Sequence, residues 1–243
     1  MTGVQTCALP IYMIDYLLSV DYAPFLLSFK LAFITTLILF VLCLPLSWYL
    51  SQTKSKAKPF LEALCTMPLV VPPTVLGFYL LWGLSHNSPI GQFFNDYFGI
   101  KLVFNFYGII IASCIYSLPF MVNPLQSGFE SLNKNMLEAS YISGKSKFKT
   151  MLFIALPNIK PSLMTALVIS FAHTVGEFGA VMMIGGSIPN ETRVAAIAIY
   201  EFVEILDYKN AHIYSLIMII LSFITLLAVY IFNGKQKKIG IVT

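Results

Sequence analysis

Long apolar runs alternate with short polar connections along this chain. Five of the runs have the roughly 20 residues that a helix needs to cross a bilayer, at about 25–50, 60–85, 104–127, 161–184 and 211–233. A sixth apolar patch, 193–206, is shorter and carries Glu201 and Glu204. It is compatible with a short span, a re-entrant element or an interfacial helix. The pattern predicts an all-α integral membrane protein with about five transmembrane helices.

The polar segments divide the chain into a tail, a membrane domain and a second tail. The predicted parts are an N-terminal tail with an interfacial segment at 1–24, a transmembrane domain at 25–233 with a cytoplasmic loop at 128–160, and a cytoplasmic tail at 234–243. Residues 1–12 continue no later pattern and lack the basic start of a signal peptide. We expect them to be artefactual, with the natural start at Met13.

Charge gives the orientation of the predicted spans. The chain is 58% hydrophobic and only 11% charged, whereas about a quarter of a soluble domain is charged. With five spans and the N-terminus outside, 11 of the 15 basic residues lie on one side, as expected for a cytoplasmic face. If 193–206 were a full crossing, the lysines at the C-terminus would lie outside. The 11 residues are Lys54, Lys56, Lys58, Lys134, Lys145, Lys147, Lys149, Lys160, Lys235, Lys237 and Lys238.

Prolines occur within or near several of the apolar runs. Each one removes a backbone donor and can kink a helix, and such breaks persist in a membrane only where the freed groups are satisfied by neighbours or a wet cavity. The densest case is MPLVVPPTVLGFYLLWGL at 67–84. The pattern therefore favours a protein that lines a pathway.

The loop at 128–160 contains the signals of two short helices. Asn135 followed by Glu138 has the spacing of a capping box, and Gly144 stands where a left-handed residue would end the first helix. A second amphipathic helix is predicted from Ser146 to Ala155, stopping before Leu156-Pro157. Two short helices that cannot bury their own apolar faces need a partner.

The same loop contains Gly144-Lys145-Ser146, the last three letters of a phosphate-binding loop. That motif needs a glycine five positions before Gly144 and a strand before it, but this chain has Ala139 there. We therefore do not expect this chain to bind ATP. No metal-ligand spacing such as His-Glu-x-x-His occurs either, so neither a metal ion nor another cofactor is predicted.

The loop resembles the signature loop of ABC-importer permeases, which reads Glu-Ala-Ala, three residues, Gly, and later Leu-Pro. In that family the loop docks in a cleft of a separate ATPase subunit and passes on its closing motion. Ser140 departs from the motif by replacing the second alanine. The resemblance assigns ATPase coupling to Glu138, Ala139, Ser140, Gly144, Ile154, Leu156 and Pro157.

Further segments resemble the molybdate (ModB-type) permease family and its type I ABC-importer permease fold. They are PLVVPPTVLGFYLL at 68–81, SPIGQFF at 88–94, IYSLPFMVNPLQSGFESL at 115–132 and GEFGAVMMIGGSIPNETR at 176–193. The resemblance implies an importer of molybdate, with tungstate and then sulfate as alternatives. The candidate pathway or gate residues are Pro72, Pro73, Thr74, Gly77, His173, Glu177 and Gly179.

The resemblance also implies the partners and the location. They are a second copy of this chain in a homodimer, two copies of an ABC ATPase subunit, an extracytoplasmic oxyanion-binding protein and membrane lipid, with no nucleic acid. The chain would reside in the bacterial cytoplasmic membrane and leave catalysis to the ATPase. A membrane enzyme and an ATP-independent secondary transporter are the rival classes. The chain lacks the nucleophile motif that a membrane enzyme would need, and it lacks the internal repeat that a secondary transporter would show.

Three ionisable residues have two interpretations each. His173 and Glu177 share a helix face, and intramembrane ionisable groups are costly. The first interpretation is a structural bond, either between the two residues or from Glu177 to a neighbouring helix. The second is a gate or a proton sensor. Arg193 is the one arginine of the sequence. It predicts a pair with Glu191 or a lipid headgroup, or a contact with the binding protein.

Overall fold

The computed structural model describes residues 20–239, with their side chains except at 228–229 and 232–239. This part of the chain is helical, as the apolar runs predict. The expectations for residues 1–12, for the tail up to residue 19 and for the last four residues lie outside the described residues. So do the side chains of the C-terminal lysines.

The helices follow one another closely. In chain order they are α1 (Ala23–Gln52), α2 (Lys58–Thr66), α3 (Pro73–Leu84), α4 (Pro89–Phe98), α5 (Phe106–Glu130), α6 (Lys134–Ile142), α7 (Lys147–Thr150), α8 (Leu156–Asn158), α9 (Lys160–Val175), α10 (Gly179–Gly185), α11 (Ala195–Glu204) and α12 (Tyr208–Ile239). A 3₁₀ turn, Met67–Leu69, extends α2, and a π-helical segment, Met151–Ala155, joins α7 to α8.

Within residues 20–239, three helices are long and apolar enough to cross a membrane: α1, α5 and α12. Two bent pairs meet the same test, so the described chain has up to five spans. The pair α2–α3 bends by 105° and the pair α7–α9 by 85°. The apolar run at 60–85 is therefore not one continuous helix, since it breaks at residues 70–72. The run at 161–184 is interrupted separately, at residues 176–178 after the end of α9.

The effect of a proline depends on its neighbours. Pro45 lies inside continuous α1, and Pro119 and Pro124 lie inside continuous α5. The helix breaks instead at the adjacent Pro72 and Pro73, where two backbone donors are lost together. The amides of the two preceding valines, at 70 and 71, both return to the Met67 carbonyl, at 3.0 and 3.1 Å. The predicted break within 67–84 is confirmed, and the two amides that precede the prolines are satisfied locally.

The core lies where α1, α5 and α9 pack together. The Ser47 hydroxyl of α1 donates to the Val122 carbonyl of α5 at 3.2 Å, and the Trp48 and Phe129 rings meet edge to face with their centroids 5.1 Å apart. On the other side of α5, a Cβ added to Gly128 would lie 2.6 Å from the Ser162 Cβ. The glycine therefore permits the close approach of α9.

The patch at 193–206 forms α11, which has ten residues. A helix of that length extends about 15 Å, half of the bilayer core, so it is too short to cross. It is fixed to α1, because the Ala195 amide donates to the Ser28 hydroxyl at 2.9 Å. The predicted pair of Arg193 with Glu191 is wrong: the guanidinium binds Glu201 of α11 at 2.7 Å, because one to two turns of helix bring that carboxylate back over the arginine.

Candidate functional site

Two segments that the sequence singled out, far apart in the chain, pack directly on each other. Gly179 begins α10 and lies against Pro73, the first residue of α3. A Cβ added to Gly179 would come within 2.8 Å of the Pro73 Cβ, closer than real side chains approach. Only a glycine fits at this contact, so the breaks at 70–72 and 176–178 are held together.

One turn further along α3 the packing is as close. A Cβ on Gly77 would lie 2.8 Å from the Met183 Cβ and 3.2 Å from the Ala180 Cα. Helices α3 and α10 therefore approach each other closely through the small residues Gly77 and Ala180, which is typical of helix contacts in membranes. Thr74 and Pro72, also predicted for the pathway, are exposed at this break.

His173 of α9 takes part in a polar contact between α9 and α5. Its Nδ1 lies 3.1 Å from the Ser117 hydroxyl, which is also 2.9 Å from the Thr174 hydroxyl. The ring stacks on Phe120 with the centroids 3.9 Å apart. The predicted bond between His173 and Glu177 is not formed, because Ser117 and the rings of Phe120 and Tyr116, the latter with its centroid 5.0 Å from the imidazole, hold the side chain against α5.

Glu177 lies in the break between α9 and α10 and is only 4% exposed. Its carboxylate lies beside Ser113 of α5. Neither carboxylate oxygen makes a hydrogen bond of standard geometry with the described residues. A buried carboxyl without a partner is costly. Glu177 therefore lies next to α5, as one of the two predictions required, but it does not form the predicted bond to that helix.

Within residues 20–239 no group of three or more His, Cys, Asp or Glu side chains is placed to hold a metal ion. The described cysteines Cys43, Cys65 and Cys114 are free thiols.

The second site is the helix pair at 134–158. Its first helix, α6, begins two residues earlier than predicted, because the cap is Asn133 and not Asn135. The Asn133 side chain accepts from the Asn135 amide at 2.9 Å, so the expected capping box of Asn135 and Glu138 is wrong. Glu138 is left exposed on the helix surface.

Gly144 ends α6 in the left-handed conformation, with φ +77°, as the sequence predicts. The Gly144 amide donates to the Tyr141 carbonyl at 2.9 Å, and the Lys145 amide to the Ser140 carbonyl at 3.2 Å. This pair of bonds is a Schellman motif. It satisfies the last carbonyls of α6 and fixes the corner between the two helices.

The second helix of the pair begins where the sequence predicts but ends later. The Ser146 hydroxyl accepts from the Lys149 amide at 3.4 Å and caps α7. The chain does not stop before Leu156-Pro157. It continues through the π-helical segment into α8, where Pro157 occupies a first-turn position at which its missing amide is tolerated. The 85° bend follows only after Asn158.

Ser140, the departure from the signature loop, joins the two helices. Its hydroxyl lies 2.8 Å from the Thr150 hydroxyl, and both side chains are buried. Thr150 is a residue whose role the sequence did not indicate. Its position ten residues after Ser140, on the inner face of the next predicted helix, was the signal available. The alanine that the signature loop has at this position could not make this bond. In this chain the corner is therefore fixed both by the backbone bonds at Gly144 and by the Ser140–Thr150 bond.

The helix pair has two different faces. Its inner face is buried in the core of the bundle, where Leu137, Met151 and Ala155 join the cluster around Phe129. Its outer face exposes large apolar side chains among lysines: Ile142 is 87% exposed and Phe148 64%. An exposed apolar patch with a polar rim is typical of a protein interface.

We predict that replacing either partner of the Ser140–Thr150 bond loosens this corner. For Ser140→Ala, amide exchange at residues 145–149 should be about fivefold faster, because a buried hydrogen bond contributes about 1 kcal/mol. Hydrogen exchange of the purified protein measures it. Ser143→Ala is the matched control, since its hydroxyl bonds only within its own helix, to the Ala139 carbonyl. Equal exchange in Ser140→Ala and wild type would contradict the role given to this bond.

Comparison with known proteins places this architecture in a family. Residues 43–238 match the family model described as "Binding-protein-dependent transport system inner membrane component". The chain is 42% identical, over 91% of its length and 97% of the relative, to the molybdenum transport system permease protein ModB of Azotobacter vinelandii. It is 30% identical, over 89% of its length and 81% of the relative, to a probable sulfate transport system permease protein, cysT, of Chlorella vulgaris.

The fold is that of solved ABC importers. A bacterial alginate ABC transporter, in complex with an alginate-bound periplasmic protein, superposes with a TM-score of 0.70 at 15% identity. That likeness covers 89% of this chain and 80% of the other. The described chain, with its bent spans, thus has the fold of a type I importer permease. The chain belongs to the binding-protein-dependent transport system inner membrane components, as an ABC importer permease of the ModB type.

Proposed function

We propose that this chain is the membrane subunit of an ATP-driven importer that carries molybdate across the cytoplasmic membrane. The observation that carries the proposal is the 42% identity to a molybdenum permease over nearly the whole of both chains. The packing of Gly179 on Pro73 supports it, because it unites the two segments in which this sequence resembles molybdate permeases most narrowly.

A separate ATPase would bind the exposed face of the helix pair. The apolar side chains Ile142 and Phe148 supply a docking surface, and Lys145, Lys147 and Lys149 surround it with positive charge. The buried face of the same helices contacts the core. A displacement of the pair by the ATPase is therefore transmitted to α1 and α5 rather than absorbed by a loop. Hydrolysis would occur in that partner, and this subunit would be non-catalytic.

The orientation follows from the same lysines. With the helix pair on the cytoplasmic side, α1 runs inward, the pair α2–α3 outward, α5 inward, α9 outward and α12 inward. This places the N-terminus outside and the C-terminus inside, with the basic loops in the cytoplasm. The short α11 then lies at the outer surface.

A homodimer would complete the pathway. The helix α3 packs on α10 by one face and exposes Phe78, Tyr79 and Trp82 by another, which supplies apolar surface for a second copy. Two ATPase subunits and an extracytoplasmic oxyanion-binding protein would complete the assembly. The solved alginate transporter is likewise in complex with a periplasmic protein, which there binds an alginate pentasaccharide.

The first test is uptake by proteoliposomes that contain this chain. Molybdate, tungstate and sulfate are counted separately, with and without the ATPase, ATP and the binding protein. We expect molybdate uptake only when all of these are present. Preferred sulfate uptake would favour the second candidate substrate, which the 30% identity to a sulfate permease supports, and preferred tungstate uptake would name that ion. Uptake by this chain alone would overturn the importer assignment in favour of a secondary transporter.

For the docking surface we predict that Gly144→Asp inserts normally but loses ATP-driven uptake about tenfold or more. A tenfold loss corresponds to an interface with the ATPase weakened by about 1.4 kcal/mol. A Cβ at Gly144 meets nothing within 4 Å of this chain, so the added side chain would collide only with a docked partner. Uptake and co-purification of the ATPase measure the effect.

Gly99→Asp is the matched control. Gly99 has a similar φ of +65° and the same open surroundings, but it lies after α4 on the opposite side of the membrane. Strain at a left-handed residue should therefore be similar in the two variants. If both lose uptake equally, or if Gly144→Asp transports and binds the ATPase normally, the docking assignment is wrong.

For Glu177 we predict that Glu177→Gln retains at least about a tenth of wild-type uptake, since it keeps the shape of the side chain and the carboxylate has no hydrogen bond of standard geometry to lose, so the cost should stay below the roughly 1.4 kcal/mol of a tenfold loss. Glu204→Gln, on the exposed surface of α11, controls for a change of net charge. Complete loss of transport in an assembled Glu177→Gln complex would make this carboxyl a gate.

A further inference from the structure

A large cavity lies between α1, α5 and the loop that precedes α11, away from the break and from the helix pair. Its volume is about 770 Å³, within the range that holds small-molecule ligands. It is lined by apolar side chains from both helices and by a few polar ones, among them Lys30, Asn105 and Glu191. Neither the proposed pathway nor the docking surface uses it.

The cavity is polar at one end and apolar at the other. The two helices run alongside each other in the same direction: Lys30 meets Phe106, and Ser47 meets Val122 about 16 residues further along both. On α1, Ile34 and Ile38 line the cavity one and two turns beyond Lys30, at depths of about 6 and 12 Å. On α5, Ile110 and Ile111 follow in the same way after the polar Asn105 cap.

Lys30 is the unusual member of the lining. It lies about 10 Å into α1 by helical rise, on a stripe whose other members Leu26, Phe33 and Leu37 are all more than half exposed. Its ammonium lies 4.7 Å from the Phe106 ring centroid and forms no ion pair with the residues that the structure describes. A lysine at such a depth directs its charge toward the headgroup region.

Glu191 supplies the opposite charge at the same cavity. Its carboxylate likewise forms no ion pair with described residues, since the neighbouring Arg193 binds Glu201. Tyr107, at the cavity rim, is 55% exposed, as is usual for an aromatic side chain at the level of the lipid headgroups. One cation and one anion therefore line a cavity whose other lining is mostly apolar.

We propose that this cavity binds one zwitterionic phospholipid with a primary amine in its headgroup, of the phosphatidylethanolamine type. Lys30 binds the phosphate, Glu191 accepts from the ammonium, and an acyl chain lies along the isoleucines of α1 and α5. An anionic lipid such as phosphatidylglycerol would satisfy Lys30, but its headgroup hydroxyl would donate only a neutral hydrogen bond to the Glu191 carboxylate, weaker than the ion pair that an ammonium forms. A choline headgroup has no N–H to donate to it.

The test is native mass spectrometry of the full-length, delipidated protein with equal concentrations of phosphatidylethanolamine, phosphatidylglycerol and phosphatidylcholine that share the same acyl chains. We expect phosphatidylethanolamine to be retained about fivefold more than either of the others, the factor that one charged hydrogen bond of about 1 kcal/mol supplies. Lys30→Gln and Glu191→Gln should each remove that preference.

Lys101→Gln is the matched control, because Lys101 is an exposed lysine of the same outer region that lies outside this cavity. Ile34→Trp keeps both charges but fills the apolar end, so it should lower the retention of all three lipids. Equal retention of the three lipids, a preference for phosphatidylglycerol that Glu191→Gln leaves unchanged, or no retained lipid would each overturn the proposal. The readout is lipid binding, so it stands or falls independently of transport.

Discussion

The constraint on which this structure depends is that a broken helix in a membrane must satisfy its own backbone. At the first break two adjacent prolines have no amide, and the two preceding amides return to Met67. At the second break the Glu177 amide returns to the Thr174 carbonyl at 3.3 Å. These bonds lower the cost of bare peptide groups in lipid, and the two breaks pack on each other through Gly179 and Pro73.

The helical runs, the break at the double proline and the left-handed Gly144 could all be predicted from the sequence, because each depends on local chemistry. Length and hydropathy fix a span, and only glycine adopts φ +77° without strain. The capping residue and the end of the second loop helix were mispredicted. Asn133 and Asn135 are equally good caps by type, and the choice between them depends on how α6 meets the core, which no local signal contains.

The site was predictable as two separate segments but not as one place. Nothing in the sequence shows that Gly77 approaches Met183, because that contact joins residues about a hundred positions apart. The predicted partners of the ionisable groups were wrong for the same reason. Spacing on one helix suggested that His173 would bind Glu177, yet the side chain binds Ser117 of another helix. Helical periodicity identifies which residues share a face, but tertiary packing decides what that face meets.

The distribution of charge bears on how an oxyanion would cross. In the described spans Lys58, Lys160 and Lys209 lie at helix ends and Lys30 lies about two turns into α1. The ionisable groups at the break between α9 and α10 are His173 and Glu177. Under the proposed function, the interior thus offers an anion hydroxyls and backbone amides but no fixed cation. Weak binding in the passage favours release over retention. Discrimination among oxyanions would then belong to the binding protein, which explains how one permease architecture accompanies relatives named for both molybdenum and sulfate.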